Sequence, residues 1–208
     1  ELGMSMLPVS EALQRLEFEG LLESRARAGT RVRIPTEDDV RGHYVVREAL
    51  EVQAAKLFAT VATAQERSEL QRLAARVDAL SARADGERFL YLSLHEKLHR
   101  RIAEGTHCQP LCEAIEKNQV LASTWLCVPR LALSDAPPPR RHQDLVEVLV
   151  KGDPEAAAEA MRQHIHNALK NTLSRLEAHF QMPEANGTIF ARSQKKQAQR
   201  PHPTSKTS

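Results

Sequence analysis

Apolar residues recur at three- and four-residue steps over most of this chain, a spacing that predicts helices. Near the start, Val9, Ala12, Leu13 and Leu16 form one stripe, Ser5 is placed to cap it and Gly20 to stop it. The period then changes. Val32 and Ile34 alternate with Arg31 and Arg33, and Ala28-Gly29 stands between two short extended runs, which predicts a hairpin with arginines on one face. From Thr36 the helical period returns. Acids at Glu37, Asp38 and Asp39 open a helix running through Val45, Leu50, Ala54 and Leu57. Thr63 and Glu66 make a capping box ahead of Leu70, Leu73, Val77 and Leu80. Gly86 precedes the next helix, Gly105 and Pro110 separate it from one reaching about Leu126, and Pro137, Pro138 and Pro139 mark a loop. Gly152 then ends a helix, Asp153 caps the last one and Pro154 occupies its first turn, with Phe180 near its end. Beyond Pro183 the chain is polar and basic, and a disordered tail is expected over 184–208.

Histidines stand on three of these stripes. Between Leu90 and Ile102 the inward positions are Tyr91, Leu94, His95, Leu98, His99 and Ile102, so two imidazoles lie one turn apart on a presumed buried face. His142 shares a stripe with Leu145, Val146 and Leu149, and His164 shares one with Ala157, Ala160, Met161, Ile165 and Ala168. An i, i+4 pair alone fits two hydrogen-bonded core histidines as well as a metal site. Four inward imidazoles all need partners, and one divalent cation would satisfy them together. His43, His107, His166 and His179 lack the pattern and are expected at the surface.

The composition narrows the function classes. With 208 residues, 41% of them hydrophobic and 27% charged, the chain can bury one good core plus a small module. A formal charge of +2 is too small to argue for nucleic acid, so any DNA-binding surface must be local. The three cysteines, Cys108, Cys112 and Cys127, form no disulfide framework, and no apolar run of membrane-spanning length occurs, which together lead to an expectation of a cytoplasmic protein with no membrane contact.

A helix followed at once by a basic hairpin is the end of a winged helix-turn-helix, with the helix for the major groove and the wing for the backbone. Leu2-Gly3-Met4-Ser5, Pro8-Val9-Ser10-Glu11-Ala12-Leu13 and Glu19-Gly20-Leu21 resemble the DNA-binding module of the GntR family of bacterial transcription regulators. Met6 and Ser10 stand where that family has arginines that contact DNA, and the chain is expected to start inside the module. The later helices resemble the effector domain of the FadR-type branch, the FCD domain. The likeness rests on Arg47 and Glu51, on Leu98-His99-Arg100-Arg101-Ile102-Ala103-Glu104, on His142 with Gly152-Asp153, and on His164 after Met161-Arg162.

That resemblance implies a divalent metal held by His95, His99, His142 and His164, with His95 replacing the family's aspartate or asparagine. A nitrogen in place of a hard oxygen tilts the preference toward zinc, with nickel second. It also implies a small carboxylate effector, a homodimer and a pseudo-palindromic double-stranded DNA operator. The expected fold is mainly α: a partial winged helix-turn-helix at 1–35 followed by an all-α effector bundle at 36–183. DNA contact is expected from Ser5, Met6, Pro8, Ser10, Arg15, Arg31 and Arg33. Arg47 is a candidate effector ligand, although its spacing to Glu51 favours a helix-surface ion pair over that role.

Two rival readings start from the same residues. His95-Glu96-Lys97-Leu98-His99 satisfies the zinc-peptidase pattern His-Glu-x-x-His, but Ile102 and Gly105 stand where its extended form needs glycine and histidine, and Glu96 is off the inward stripe. The expectation is therefore a regulator and no enzyme. The other rival is a helical scaffold that the metal merely clamps, with no response to a ligand.

Overall fold

The computed structural model describes residues 6–25, 29–33, 35–81, 88–126 and 140–180. Helix α1 (Met6–Phe18) leads into an antiparallel hairpin, β1 (Leu22–Arg25) and β2 (Gly29–Val32), and six helices follow: α2 (Glu37–Val61), α3 (Ala64–Ser81), α4 (Arg88–Glu104), α5 (Gln109–Leu126), α6 (Arg141–Leu149) and α7 (Pro154–Phe180). No helix among the described residues is long and apolar enough to cross a membrane. Ser5, Ile34, Gly86, the prolines at 137–139 and the expected tail lie outside the described residues.

α1 stops as its glycine predicts. Gly20 takes φ 76°, its amide donates to Glu17 O and the Leu21 amide to Leu16 O, the paired bonds of a Schellman motif. The Glu17 carboxylate then accepts from the Ser24 amide and hydroxyl, both at 3.0 Å, which ties the helix to β1. The hairpin forms as its period predicts, and Val32 is 55% exposed because no second layer of described residues covers that face.

α2 is the axis of the bundle and packs against α4, α5, α6 and, most extensively, α7; α3 packs against α4 and α6. Thr36 and Asp39 cap its start reciprocally, the Asp39 amide donating to Thr36 Oγ1 at 3.1 Å and the Thr36 amide to Asp39 Oδ2 at 2.9 Å. Its buried face is not the one its apolar residues suggest. Val45 is 69% exposed, whereas Val40, His43, Tyr44, Arg47, Glu51, Ala54, Ala55 and Phe58 point inward.

Around this axis the expected stripes are buried: Leu70, Leu73 and Val77 of α3, Leu98 and Ile102 of α4, Leu145, Val146 and Leu149 of α6, and Met161 and Ile165 of α7. The Thr63–Glu66 box opens α3, with the Thr63 amide donating to Glu66 Oε2 at 2.7 Å. Pro110 falls in the first turn of α5, where its missing N–H leaves no bond unmade. Gly152 has φ 89°, and Asp153 Oδ1 accepts from the amides of Glu155 and Ala156 at the start of α7.

One close approach yields a prediction. A Cβ at Gly105, just past α4, would lie 2.6 Å from Cδ2 and Cε2 of Phe58, a ring fully enclosed by the core. Gly105→Ala should therefore destabilise the fold by about 1–3 kcal/mol through overpacking. An unchanged midpoint in urea denaturation would contradict it.

Candidate metal centre

The four histidines predicted to face inward meet between α4, α6 and α7. His95, His142 and His164 each offer a ligand atom, all within 4.8 Å of one another, and His99 Nε2 stands 3.3 Å from His95 Nε2. Ring centroids are 4.7 Å apart for His95 and His99, 5.1 Å for His95 and His142, and 5.3 Å for His142 and His164. His99, His142 and His164 are buried and His95 is half-buried, its ring stacked on Tyr91.

Two carboxylates orient two of these rings. Glu51 Oε2 lies 2.6 Å from His99 Nδ1, and Asp78 Oδ1 lies 2.6 Å from His142 Nδ1. A carboxylate that accepts from Nδ1–H leaves the lone pair on Nε2, so each acid aims a ligand nitrogen at the cluster. Asp78 also accepts from the amides of His142 and Gln143, at 3.1 and 2.9 Å, and so caps α6 from across the bundle. No local residue does this, since Arg140 makes no side-chain cap bond.

Burial pushes His95, His142 and His164 below the ordinary imidazole value. The neighbouring His99 adds to this for His95 and His164, while Asp78 opposes it for His142. The rings are thus held neutral, the form that binds metal. Nε2 of His142 and Nε2 of His164 are buried with no hydrogen-bond partner among the described residues. Orphaned acceptors facing one another are costly, and a cation between them removes the cost. The 3.3 Å between Nε2 of His95 and Nε2 of His99 also suits two nitrogens on one ion, where bonds of ~2.1 Å put tetrahedral neighbours about 3.4 Å apart. The donor set fits a divalent ion that accepts nitrogen.

The FCD domain family model matches residues 43–167, the stretch that holds all four histidines. The chain is also 32% identical over 171 residues to a probable D-xylose utilization operon transcriptional repressor of Paenarthrobacter nicotinovorans, a match covering 79% of this chain and 72% of that one. It belongs to the GntR-family transcription regulators of the FCD type. A second relative, the HTH-type transcriptional repressor RspR of Escherichia coli K12, is 26% identical over 167 residues, 78% of this chain and 71% of the relative. The fold of E. coli McbR/YncC superposes with a TM-score of 0.67 at 22% identity, covering 84% of this chain and 87% of that one. A GntR regulator from Rhodococcus sp. RHA1 gives 0.64 at 21%, with 83% and 82% covered.

Within this FCD regulator, two expectations need correction. Arg47 does pair with Glu51, Nε to Oε1 at 2.5 Å, but the pair is buried rather than on the helix surface: Arg47 is 4% and Glu51 3% exposed. Burial alone would raise the Glu51 carboxyl, yet the Arg47 charge, the adjoining His99 and the hydrogen bonds from both outweigh it and hold the group at about 2. His43, expected at the surface, is 8% exposed, and burial, with the Arg47 charge adding, pulls it down to about 4. Both errors have one cause, the polar residues on the buried face of α2. His107 and His166 are at the surface as expected, paired with Glu66 and Glu48 at 2.9 and 2.8 Å, and the side chain of His179 lies outside the described residues.

Two residues beside the centre escape a reading of the sequence. Asp78 leaves a signal, a lone acid on the stripe of Leu70, Ala74 and Val77. Arg141 leaves none, because a charge next to a predicted helix start looks like a solvated one.

The residues of α1 expected at DNA are accessible. Met6, Pro8, Ser10 and Arg15 lie on the exposed surface of α1, with Met6 79% exposed. The wing arginines are engaged within the protein: Arg31 Nε pairs with Glu23, and Arg33 Nη2 reaches Asp39 Oδ1 at 2.7 Å. A cleft of about 260 Å³ lies at this junction, lined by Gly20, Arg33, Asp39, His43, Val46 and Asn118 among others.

Proposed function

We propose that residues 1–35 read DNA and that residues 36–183 sense a small organic acid through a divalent ion held by His95, His99, His142 and His164, the segment 184–208 being a basic tail. The reading is carried by the convergence of four imidazoles from three helices, two of them with buried, unpartnered Nε2 atoms among the described residues. Zinc suits an all-nitrogen donor set, with nickel second. When bound, the ion supplies a positive charge that four neutral ligands do not cancel, in a site of low dielectric that favours an anionic guest. Arg47 is the first protein partner for that carboxylate: Glu51 holds its Nε, while Nη2 stands 3.5 Å from His99 Nε2 at the cluster.

The path to DNA runs through α2. This helix carries Arg47 and Glu51, and the Asp39 in its cap is the residue that Arg33 of the wing holds. A phosphate that binds Arg33 must compete with Asp39, so any shift at the start of α2 alters what the wing offers to DNA. The exposed Gly42, Val45, Val46 and Ala49 form a small-residue face on the same helix that suits a second copy of the chain, and a two-fold dimer would read a pseudo-palindromic operator. Such a regulator acts in the cytoplasm.

Elemental analysis of the purified protein tests the centre, and a thermal-shift series with small carboxylates tests the sensor, since a ligand stabilises only what it binds. Absence of stoichiometric zinc or nickel sinks the metal assignment. For the reader, Arg33→Ala should weaken operator binding and reduce its salt dependence with little change in sequence preference, as measured by fluorescence anisotropy. A preference relaxed at one base pair would place Arg33 on a base instead. A second reading has a specific observation behind it: four imidazoles can close a tetrahedral shell, which describes a purely structural zinc. A chelator-sensitive fold that no carboxylate stabilises would favour that scaffold.

A further inference from the structure

Arg141 is a cation that the sensing mechanism has not used. It sits in the first turn of α6 beside His142, and its Nε is buried with no hydrogen-bond partner among the described residues. Among the described residues the guanidinium makes only a long contact, from Nη2 to the His164 carbonyl oxygen at 3.4 Å. The charged and titratable groups around it include Tyr91 of α4, Tyr44 and Arg47 of α2, His142 of α6, His164 of α7, and Asp78 of α3, and Asp78 is committed to His142 and to the amides that open α6. Arg141 is half-buried, with its Nε sealed from water and no carboxylate of its own among the described residues, so the desolvation of that nitrogen is not repaid.

The charge balance says what would repay it. Around the histidines stand two buried carboxylates, Glu51 and Asp78, and two guanidiniums, Arg47 and Arg141, and an imidazole that ligates a metal does so in its neutral form. Acids and arginines cancel, so a divalent ion among the rings would leave two positive charges uncompensated. A monocarboxylate neutralises one of them. A dicarboxylate neutralises both, and its second group can take the planar fork that Arg141 presents.

Resting on the sensor reading above, we infer that the site is built for a dianionic organic acid, with one carboxylate toward the ion and Arg47 and the other held by Arg141. Arg141 is then the residue that separates diacids from monoacids.

The test compares two probes of equal chain length, succinate and butyrate, by calorimetric titration of the zinc-loaded full chain. Succinate should bind at least about tenfold more tightly than butyrate. In Arg141→Gln that ratio should fall to about twofold or less, while zinc content and butyrate affinity stay unchanged; Arg141→Lys, which keeps the charge but not the fork, should recover part of it. Butyrate binding the natural chain as tightly as succinate overturns the inference and leaves the sensor reading standing, and that comparison needs no variant to fold. A succinate preference that survives in Arg141→Gln likewise overturns it. Failure of the zinc-loaded chain to bind either acid overturns the sensor reading and this inference together.

Discussion

Replacing His164 with alanine should empty the metal site and lower the melting temperature of the metal-replete protein, while His166→Ala does neither. His164 is 5% exposed, with an Nε2 that finds no partner among the described residues, and His166, two positions along the same helix, pairs with Glu48 on the solvent side. The size of the effect follows from linkage. An ion present at a thousand times its dissociation constant stabilises the fold by about 4 kcal/mol, and that contribution disappears with the ligand that completes the site. The control is the chelated protein. There the His164 ring has nothing to bind, so its loss costs only the packing of a side chain, about 1–3 kcal/mol, offset by removal of an unpaired polar atom. Thermal melts of both proteins with and without chelator, together with elemental analysis, separate the two contributions. Full metal occupancy in the His164 variant would remove that residue from the centre.

The same substitution shows why the centre is legible without the fold. His95, His99, His142 and His164 each repeat with apolar neighbours at three- and four-residue steps, so helical periodicity alone turns all four inward. Gly152-Asp153-Pro154 set the boundary that places α6 against α7, and Gly20 ends α1 for a backbone reason that side-chain chemistry does not affect. Periodicity carries no information on which helices meet, however. That the three histidine-bearing helices converge is suggested by four inward rings that all need partners, and the resemblance to FCD domains makes them one ligand set.

α2 misleads because its buried stripe is partly polar. His43, Arg47 and Glu51 interrupt it, whereas Val45 and Val46 lie outside it, so hydrophobicity points away from the core. An arginine and a glutamate four apart look the same on either face of a helix. What distinguishes them is the third member, His99 of α4, and that contact spans 48 positions in the sequence. Asp78 is a similar case: its partners His142 and Gln143 lie 64 and 65 positions later, so only its place on an apolar stripe hints at a buried role. The histidines that converge are legible from local spacing, and the acids that aim them are not.

Those acids should matter nearly as much as the ligands. Glu51→Ala would leave the Arg47 guanidinium, 4% exposed, without its counter-charge, and would free the His99 ring to turn. Breaking a buried ion pair from one side costs about 3–5 kcal/mol, and loss of an orienting carboxylate weakens metal binding roughly 10- to 100-fold. The pH dependence of stability reads the same carboxylate in another way. Glu51 is held at about 2 against an ordinary 4.5, so the folded state binds its proton less readily than the unfolded chain. Its contribution is therefore complete above pH 4.5 and is lost as the pH falls toward 2, amounting to about 3 kcal/mol. Glu48, whose carboxylate meets His166 and Arg162 at the surface, is the matched control: Glu48→Ala should change stability by less than about 1 kcal/mol and leave the metal affinity alone. Urea denaturation at neutral pH and at pH 3, combined with a competitive zinc titration, measures all of these. Equal effects from Glu51 and Glu48 would mean that the carboxylate behind His99 neither anchors Arg47 nor aims the ring.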